Sequence, residues 1–342
     1  MLPSRVLLAP INTGFTVRNL PSARLLRFHR ERSGPAIGIS MVGNVAVGMP
    51  VRTNDRTAVL GEHRELPRYA ALARTISRRG SLSGIQLASA PTDLRPRRRW
   101  RTPSSGNEEE RLRYIIRSYG DDELDELLSR FVSSSLLAER AGYDVVQIHC
   151  AHGYLLSLLL HPATNRRSGR YSVSAPWFED FLGRVRARLG ESLLSIRLSA
   201  VTGLRPRGEE IAWTRAVMDR AASSGVDMID LSSGFYTVDR RLIYPGRERE
   251  QPVYSEWLGA LSRELPCLVA VAGRFTGPDS VPERLPHNLL FSVGRSLIAD
   301  PAFATKLMDG RLDRINRCTL TNRCHYFSRG KAHIECGVNP HL

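Results

Sequence analysis

The sequence predicts an α/β fold, a TIM (β/α)8 barrel in which parallel strands alternate with covering helices. Three observations point to it. Strand-like apolar runs take turns with amphipathic helical stretches, the strands are nearly continuous in apolar residues, and polar residues gather where the strands stop. Repeated strand–helix units of this kind demand a parallel sheet buried on both faces, and eight of them close into a barrel whose chemistry sits at the strand ends. No G-x-G-x-x-G fingerprint opens an early strand–helix turn, which argues against a doubly wound dinucleotide domain. The chain has 342 residues, 42% of them hydrophobic, enough for a large core. A single domain over 1–342 is expected, with a C-terminal extension at about 305–342.

The elements follow in order. "RVLLAP" is the first strand and "AIGISMVGNVAV" the second. A helical segment around "ELPRYAALARTISRRG" leads to the strand "SGIQLAS". After a basic loop comes "DELDELLSRFVSSSLLAERAG", whose apolar residues recur at spacings of three and four, the mark of an amphipathic helix. Gly142 ends it, and "YDVVQIH" begins a buried strand. The helix "WFEDFLGRVRARLG", the strand "LLSIRLSA", the helix "EEIAWTRAVMDRAASSG" and the strand "VDMIDLSSG" come next. The helix near "YSEWLGALSREL" and the strands "CLVAVAG" and "LLFSVGRSL" complete the series.

Charge and composition narrow the partners. The formal charge is +15 and Lys+Arg total 49, yet only Lys306 and Lys331 are lysines, a bias that a GC-rich genome produces as readily as a polyanion-binding surface. "RPRRRWR" at 95–101 has the make-up to grip phosphates, but the Pro, Thr, Ser and Gly that follow favour a solvated loop, and nucleic acid is not an expected partner. No stretch reads as a membrane span, and "MLPSRVLLAP" fits a first strand better than a cleaved leader. The expectation is a cytoplasmic protein with no membrane contact. Cys150, Cys267, Cys318, Cys324 and Cys336 are too few for a disulfide scaffold of this length.

The candidate chemistry lies after the strands. "QIHCAHGYLL" presents His149, His152 and Tyr154 directly after a buried run. Two imidazoles can hold a carbonyl oxygen and stabilise charge developing on it; a nearby phenol can deliver a proton to carbon. A metal reading is weak because H-x-x-H supplies two ligands and no third stands beside them. The bland alternative is a pair of satisfied loop histidines. Gly273-Arg274 and Gly294-Arg295 close the last two strands, where backbone N–H groups of this fold cradle phosphates. Arg197 sits inside "LLSIRLSA", so it must be paired, either with Asp230 or Asp144 or with an anionic ring nitrogen of a reduced flavin. The tail "CTLTNRCHYFSRGKAHIEC" spaces its cysteines C-x5-C and C-x11-C, without the C-x-x-C pair of a zinc or iron–sulfur site.

Taken together these stretches resemble the old yellow enzyme family, flavin-dependent ene-reductases built on one barrel. "LLAPINTGF" is similar to the family's A-P-M-T segment and "GIQLAS" to its Q-L segment. "GYDVVQIHCAHGYLLSLLLHPATNRRSGRYS" resembles the stretch that ends a strand in I-H-x-A-H-G-Y-L and runs on to P-x-T-N-x-R. "AGRFTGP" and "VGRSLIADP" resemble the paired phosphate loops. The resemblance implies FMN as cofactor and NADPH or NADH as hydride source. It implies that His149 and His152 bind the carbonyl of a small unsaturated substrate and that Tyr154 is the proton donor. Pro10, Ile11 and Asn12 would line the flavin ring, Gln86 would bond its pyrimidine edge, Arg197 would face the side that gains charge, and Gly273, Arg274, Gly294 and Arg295 would hold the phosphate.

Four departures stand out. Asn12 replaces a threonine, serine or cysteine, "SGRYSVSAP" keeps only Tyr171 of D-E-Y-G-G-S, and Ala88-Ser89-Ala90 lacks the expected histidine. Thr321 stands where the iron–sulfur subgroup of dienoyl-CoA reductases has its second cysteine, so no metal cluster and no further flavin domain are expected. The leading expectation is reduction of the C=C bond of an α,β-unsaturated carbonyl compound. A non-redox isomerase or cyclase using the same tyrosine and histidines is the alternative, and a flavin-free scaffold a third. A homodimer is compatible with the sequence.

Overall fold

The structure, a computed structural model, describes residues 2–90, 107–247, 265–278 and 286–342. The basic stretch at 95–101 and the helix expected around 254–264 lie outside them. Eight strands form the barrel: β1 Val6–Ile11, β2 Ile39–Ala46, β3 Leu82–Ala88, β4 Val145–Cys150, β5 Leu193–Ser199, β6 Met228–Ser232, β7 Leu268–Ala272 and β8 Leu289–Val293. Every neighbouring pair is parallel, and β1 pairs with both β8 and β2, which closes the sheet. The expected TIM barrel is the fold.

Period-two alternation sorts the interior into layers. Leu7, Ile39, Met41, Val145, Met228, Ala270 and Leu290 fill the lower end as one apolar cluster. Two residues further along their strands the same inward positions carry Gln147, Asp230 and Ser292, and two further His149 and Ser232. The floor of the barrel is thus dry, its middle polar, and its carboxyl rim functional. A larger apolar cluster lies between barrel and helices, where Phe131 of the helix Asp121–Arg140 meets Phe181 of Trp177–Arg186 edge to face at 5.9 Å. Asp121, Asp122 and Glu123 in the first turn of the longer helix and Arg140 in its last complement its dipole.

Some boundaries differ from the sequence reading. The strand expected through "LLFSVGRSL" stops at Val293, because Gly294 caps a helix, Arg295–Ala299. Helices Ala23–Glu31, Glu108–Arg117 and Leu155–Leu160 were not expected; Ser22 and Asn107 cap the first two by accepting backbone N–H groups. The β2–β3 register shifts between Val42 and Val45, at Gly43-Asn44, and the β1–β2 register between Leu8 and Ile11. Such a bulge re-aims a side chain at a rim, and here it brings Asn44 to the site.

Beyond Met308 the chain has only short 3-10 turns, yet it is tied down. Ile315, Tyr326 and Ile334 are buried, Ile334 N donates to Thr13 O at 2.9 Å, and Asn339 Nδ2 to Ile298 O at 2.8 Å. Gly14 makes the close approach possible: its φ is +72°, and a Cβ there would lie 2.5 Å from Ala332 O. Among the described residues no helix is long and apolar enough to cross a membrane. Gly14→Ala is therefore expected to unseat the tail and to cost more than about 1 kcal/mol, seen as faster tryptic cleavage at Arg329 and Lys331 and a lower urea midpoint.

Candidate active site

A cavity of about 470 Å³ opens at the carboxyl ends of the strands, and every site residue singled out from the sequence lines it. Its floor is a polar chain across five strands. Gln86 Nε2 donates to Gln147 Oε1 at 2.7 Å, and Gln147 Nε2 to Ser195 Oγ at 3.1 Å and Asp230 Oδ2 at 3.4 Å. Arg197 Nη1 pairs with Asp230 Oδ2, and Ser292 Oγ donates to that same oxygen at 3.4 Å. Parallel register makes this chain possible, with Gln86 beside Gln147, Gln147 beside Ser195, and Arg197 beside both His149 and Asp230. Asp144, the other partner considered for Arg197, accepts from Ser83 instead. Arg197 Nε is buried with no partner among the described residues, so the arginine is both ion-paired and free to serve a ligand. Gly43 lets the rim close: a Cβ there would stand 2.7 Å from Pro10 Cβ and 3.0 Å from Gln86 Cβ.

The histidines form a directed chain. Ala151 N–H donates to His149 Nδ1 at 3.2 Å, so the neutral ring carries its proton on Nε2, which lies 3.2 Å from His152 Nδ1. His152 then bears its own proton on Nε2, 2.8 Å from Ser232 Oγ. Burial, with Arg197 adding to it, holds His149 well below the usual imidazole range; burial, then His149, then Arg197 do the same for His152. His152 has φ +64°, a left-handed conformation uncommon outside glycine. It is held there by its N–H donating to Ser199 Oγ at 2.9 Å, by Ser199 Oγ donating to Gly234 O at 3.0 Å, and by Tyr236 N donating to His152 O at 3.2 Å. Strain enforced at a cavity wall is a mark of function.

The Tyr154 ring packs 4.6 Å from that of His149 and 5.7 Å from that of Tyr236. Burial, followed by Tyr236, pushes its phenol well above the usual value, so it stays protonated. Tyr236, Tyr244, Tyr326, Asn44 and Ser232 also line the cavity and were not singled out from the sequence. Ser232 and Tyr236 could have been found, since they follow the β6 run that ends in "SSG". Tyr326 carried no such signal.

Two expected cofactor contacts are already engaged by the protein. Asn12 Nδ2 donates to Asn44, Thr53 and Thr57 at 3.0–3.2 Å, while its Oδ1 accepts from Gly14 N at 3.3 Å and Tyr326 Oη at 2.9 Å. Arg295 Nη1 donates to Pro245 O and Asn322 Oδ1, each at 2.7 Å. Opposite it, Gly273 (φ +147°) and Arg274 (φ +49°) turn the chain sharply, and Arg274 Nη1 is buried without a partner among the described residues. All five thiols are free, and no group of three or more His, Cys, Asp or Glu among the described residues is arranged to hold a metal.

Residues 1–314 match the model of the NADH:flavin oxidoreductase / NADH oxidase family. The chain belongs to that family. FMN is the cofactor of that family, and Arg197, ion-paired through Nη1 but with an Nε that lacks a partner among the described residues, is in keeping with it. Among relatives, NADH oxidase of Thermoanaerobacter brockii is 24% identical over 99% of this chain, which spans 54% of that protein's length. NADPH dehydrogenase of Bacillus subtilis is 26% identical over 82% of this chain and 83% of its own. The old yellow enzyme homologue from Zymomonas mobilis shares the fold, with a TM-score of 0.69 at 17% identity over 90% of this chain and 88% of that one.

Depressed imidazoles take up protons when the chain unfolds, so folding stability is full above the unfolded histidine range and falls as pH drops below about 6.5, by about 1.4 kcal/mol per pH unit for each such ring. His149→Asn is expected to make the fall in urea midpoint between pH 7 and 5 shallower than in the parent protein.

Proposed function

We propose that this family member is an FMN-dependent reductase of activated alkenes, acting on the C=C bond of an α,β-unsaturated carbonyl compound with NADPH or NADH as hydride source. The observation that carries the reading is one cavity lined by two neutral imidazoles, a protonated phenol and an arginine whose Nε lacks a partner among the described residues. The residues fit FMN. Arg197 Nε would meet the ring edge that gains charge, Gln86 its pyrimidine side, and Pro10, Ile11 and Asn12 its face. Arg274 Nη1, with Gly273, Gly294 and Arg295, would hold the phosphate.

Bound FMN supplies hydride exchange between a nicotinamide and the β carbon of the alkene. The chain supplies everything else. His149 and His152 hold the carbonyl oxygen and draw charge onto it; in a dry site one such donor can contribute about 3–4 kcal/mol to the barrier. Tyr154 gives its hydroxyl proton to the α carbon, a task suited to a phenol that burial keeps protonated. The family's redox character favours this over the isomerase, cyclase and scaffold alternatives. As part of the same proposal residues 1–342 form one FMN-binding domain with the tail at about 305–342 as an extension. The enzyme works in the cytoplasm, where five unpaired thiols are at home, on small molecules rather than nucleic acid, as a homodimer.

An absorbance spectrum of the purified protein, recorded before and after anaerobic NADPH or NADH, tests the reading; it is overturned if no flavin band is present or neither nucleotide bleaches it. Tyr154→Phe is expected to leave flavin reduction unchanged and slow alkene turnover by about 10²–10⁴. Equal turnover would remove Tyr154 from the chemistry.

A further inference from the structure

The arrangement of protons in the histidine pair is wrong for the task assigned to it, and one residue can correct it. As the hydrogen bonds run, His149 Nε2–H points at His152 Nδ1, and His152 spends its only proton on Ser232 Oγ. An oxygen seated against both rings would meet one N–H and one lone pair. To meet two N–H groups, His152 must carry its proton on Nδ1, and its Nε2 must then accept.

Ser232 Oγ, at 2.8 Å, is the group placed to donate to it. The serine is buried and lines the cavity beside His152, and its hydroxyl has no other partner among the described residues, so it can rotate from acceptor to donor. The His152 backbone, by contrast, is fixed by Ser199 and Tyr236, which keeps the ring's point of attachment in place beside Ser232.

We infer that Ser232 is a positioning residue that sets the tautomer of His152, accepting from Nε2–H in the arrangement described and donating to Nε2 when an oxyanion meets both imidazoles from the cavity side. The switch is balanced. Nε2 loses a proton to solvent, Nδ1 gains one from solvent, and the ring stays neutral. Burial independently favours neutral over doubly protonated rings at both positions. The ligand class follows from the geometry: a single oxygen bearing partial or full negative charge, such as an enolate or a phenolate.

This inference rests on the proposal that the pair holds an oxyanion, and the test separates the two. The FMN-loaded protein, labelled with ¹⁵N-histidine, is titrated with 4-nitrophenolate, with nitrobenzene as the control lacking the oxygen. Expected is a shift of the His152 resonances from the Nε2–H to the Nδ1–H pattern with phenolate alone. Ser232→Ala should bind phenolate about tenfold more weakly, the scale of one lost hydrogen bond, bind nitrobenzene unchanged, and lose the shift; Ser232→Thr, which keeps a hydroxyl, should restore both. Retention of the Nε2–H pattern with phenolate bound, or parent-like phenolate binding by Ser232→Ala, overturns the role of Ser232. Parent-like phenolate binding by His149→Ala instead overturns the oxyanion site itself, and with it this inference.

Discussion

A buried ion pair governs this site. Arg197 and Asp230 lie on adjacent strands in the middle of the barrel, where a charge left alone would cost several kcal/mol. Four strands build the polar layer around them: Gln147 and Ser292 donate to Asp230, and Gln86 and Ser195 hold Gln147. The layer is not complete in itself, since Arg197 Nε and Asp230 Oδ1 both lack partners among the described residues. Burial draws Asp230 upward while Arg197 draws it down, and the pair holds only while both stay in register. Once that register is set, His149 follows two residues beyond Gln147 and Ser232 two beyond Asp230. The rim inherits its geometry from the middle of the barrel.

That logic explains what the sequence discloses. Continuous apolar runs revealed seven of the barrel strands within three residues of their bounds, because parallel strands buried on both sides leave a plain compositional trace. The eighth was overrun into "GRSL", since a helix starting directly after a strand keeps the apolar run going. The helix Ala23–Glu31 was hidden by its arginines and histidine, which dilute a face that Leu25, Phe28 and His29 nevertheless bury. Of the partners posed for Arg197 the structure shows Asp230, a choice open in the sequence because lateral register between strands is not written in one chain; the guanidinium pairs through Nη1, and its Nε has no partner among the described residues.

Site residues were legible where they end strands and obscure where they arrive from afar. His149, His152 and Tyr154 follow β4 directly, and the glycine–arginine pairs follow β7 and β8. Asn12 was read as a flavin contact, which its position on the cavity wall still allows, but nothing near it in sequence foretold a saturated hub binding Asn44, Thr53, Thr57 and Tyr326. Tyr244 shows the same limit. Its hydroxyl reaches that of Tyr236 at 2.6 Å and its ring sits against His325, contacts that join a β6 loop to the tail.

The tail has a thermodynamic meaning as well. Leu320 and the run from Cys324 to Ser328 form part of the cavity wall, while Tyr326 is bolted to the end of β1 through Asn12. Seating of this segment and occupancy of the cavity are therefore two readings of one equilibrium: any molecule that touches both barrel and tail tightens the tail by the same factor that the seated tail tightens its grip. A wall that is also a binding surface makes the stability of the tail and the residence time within the chamber coupled quantities.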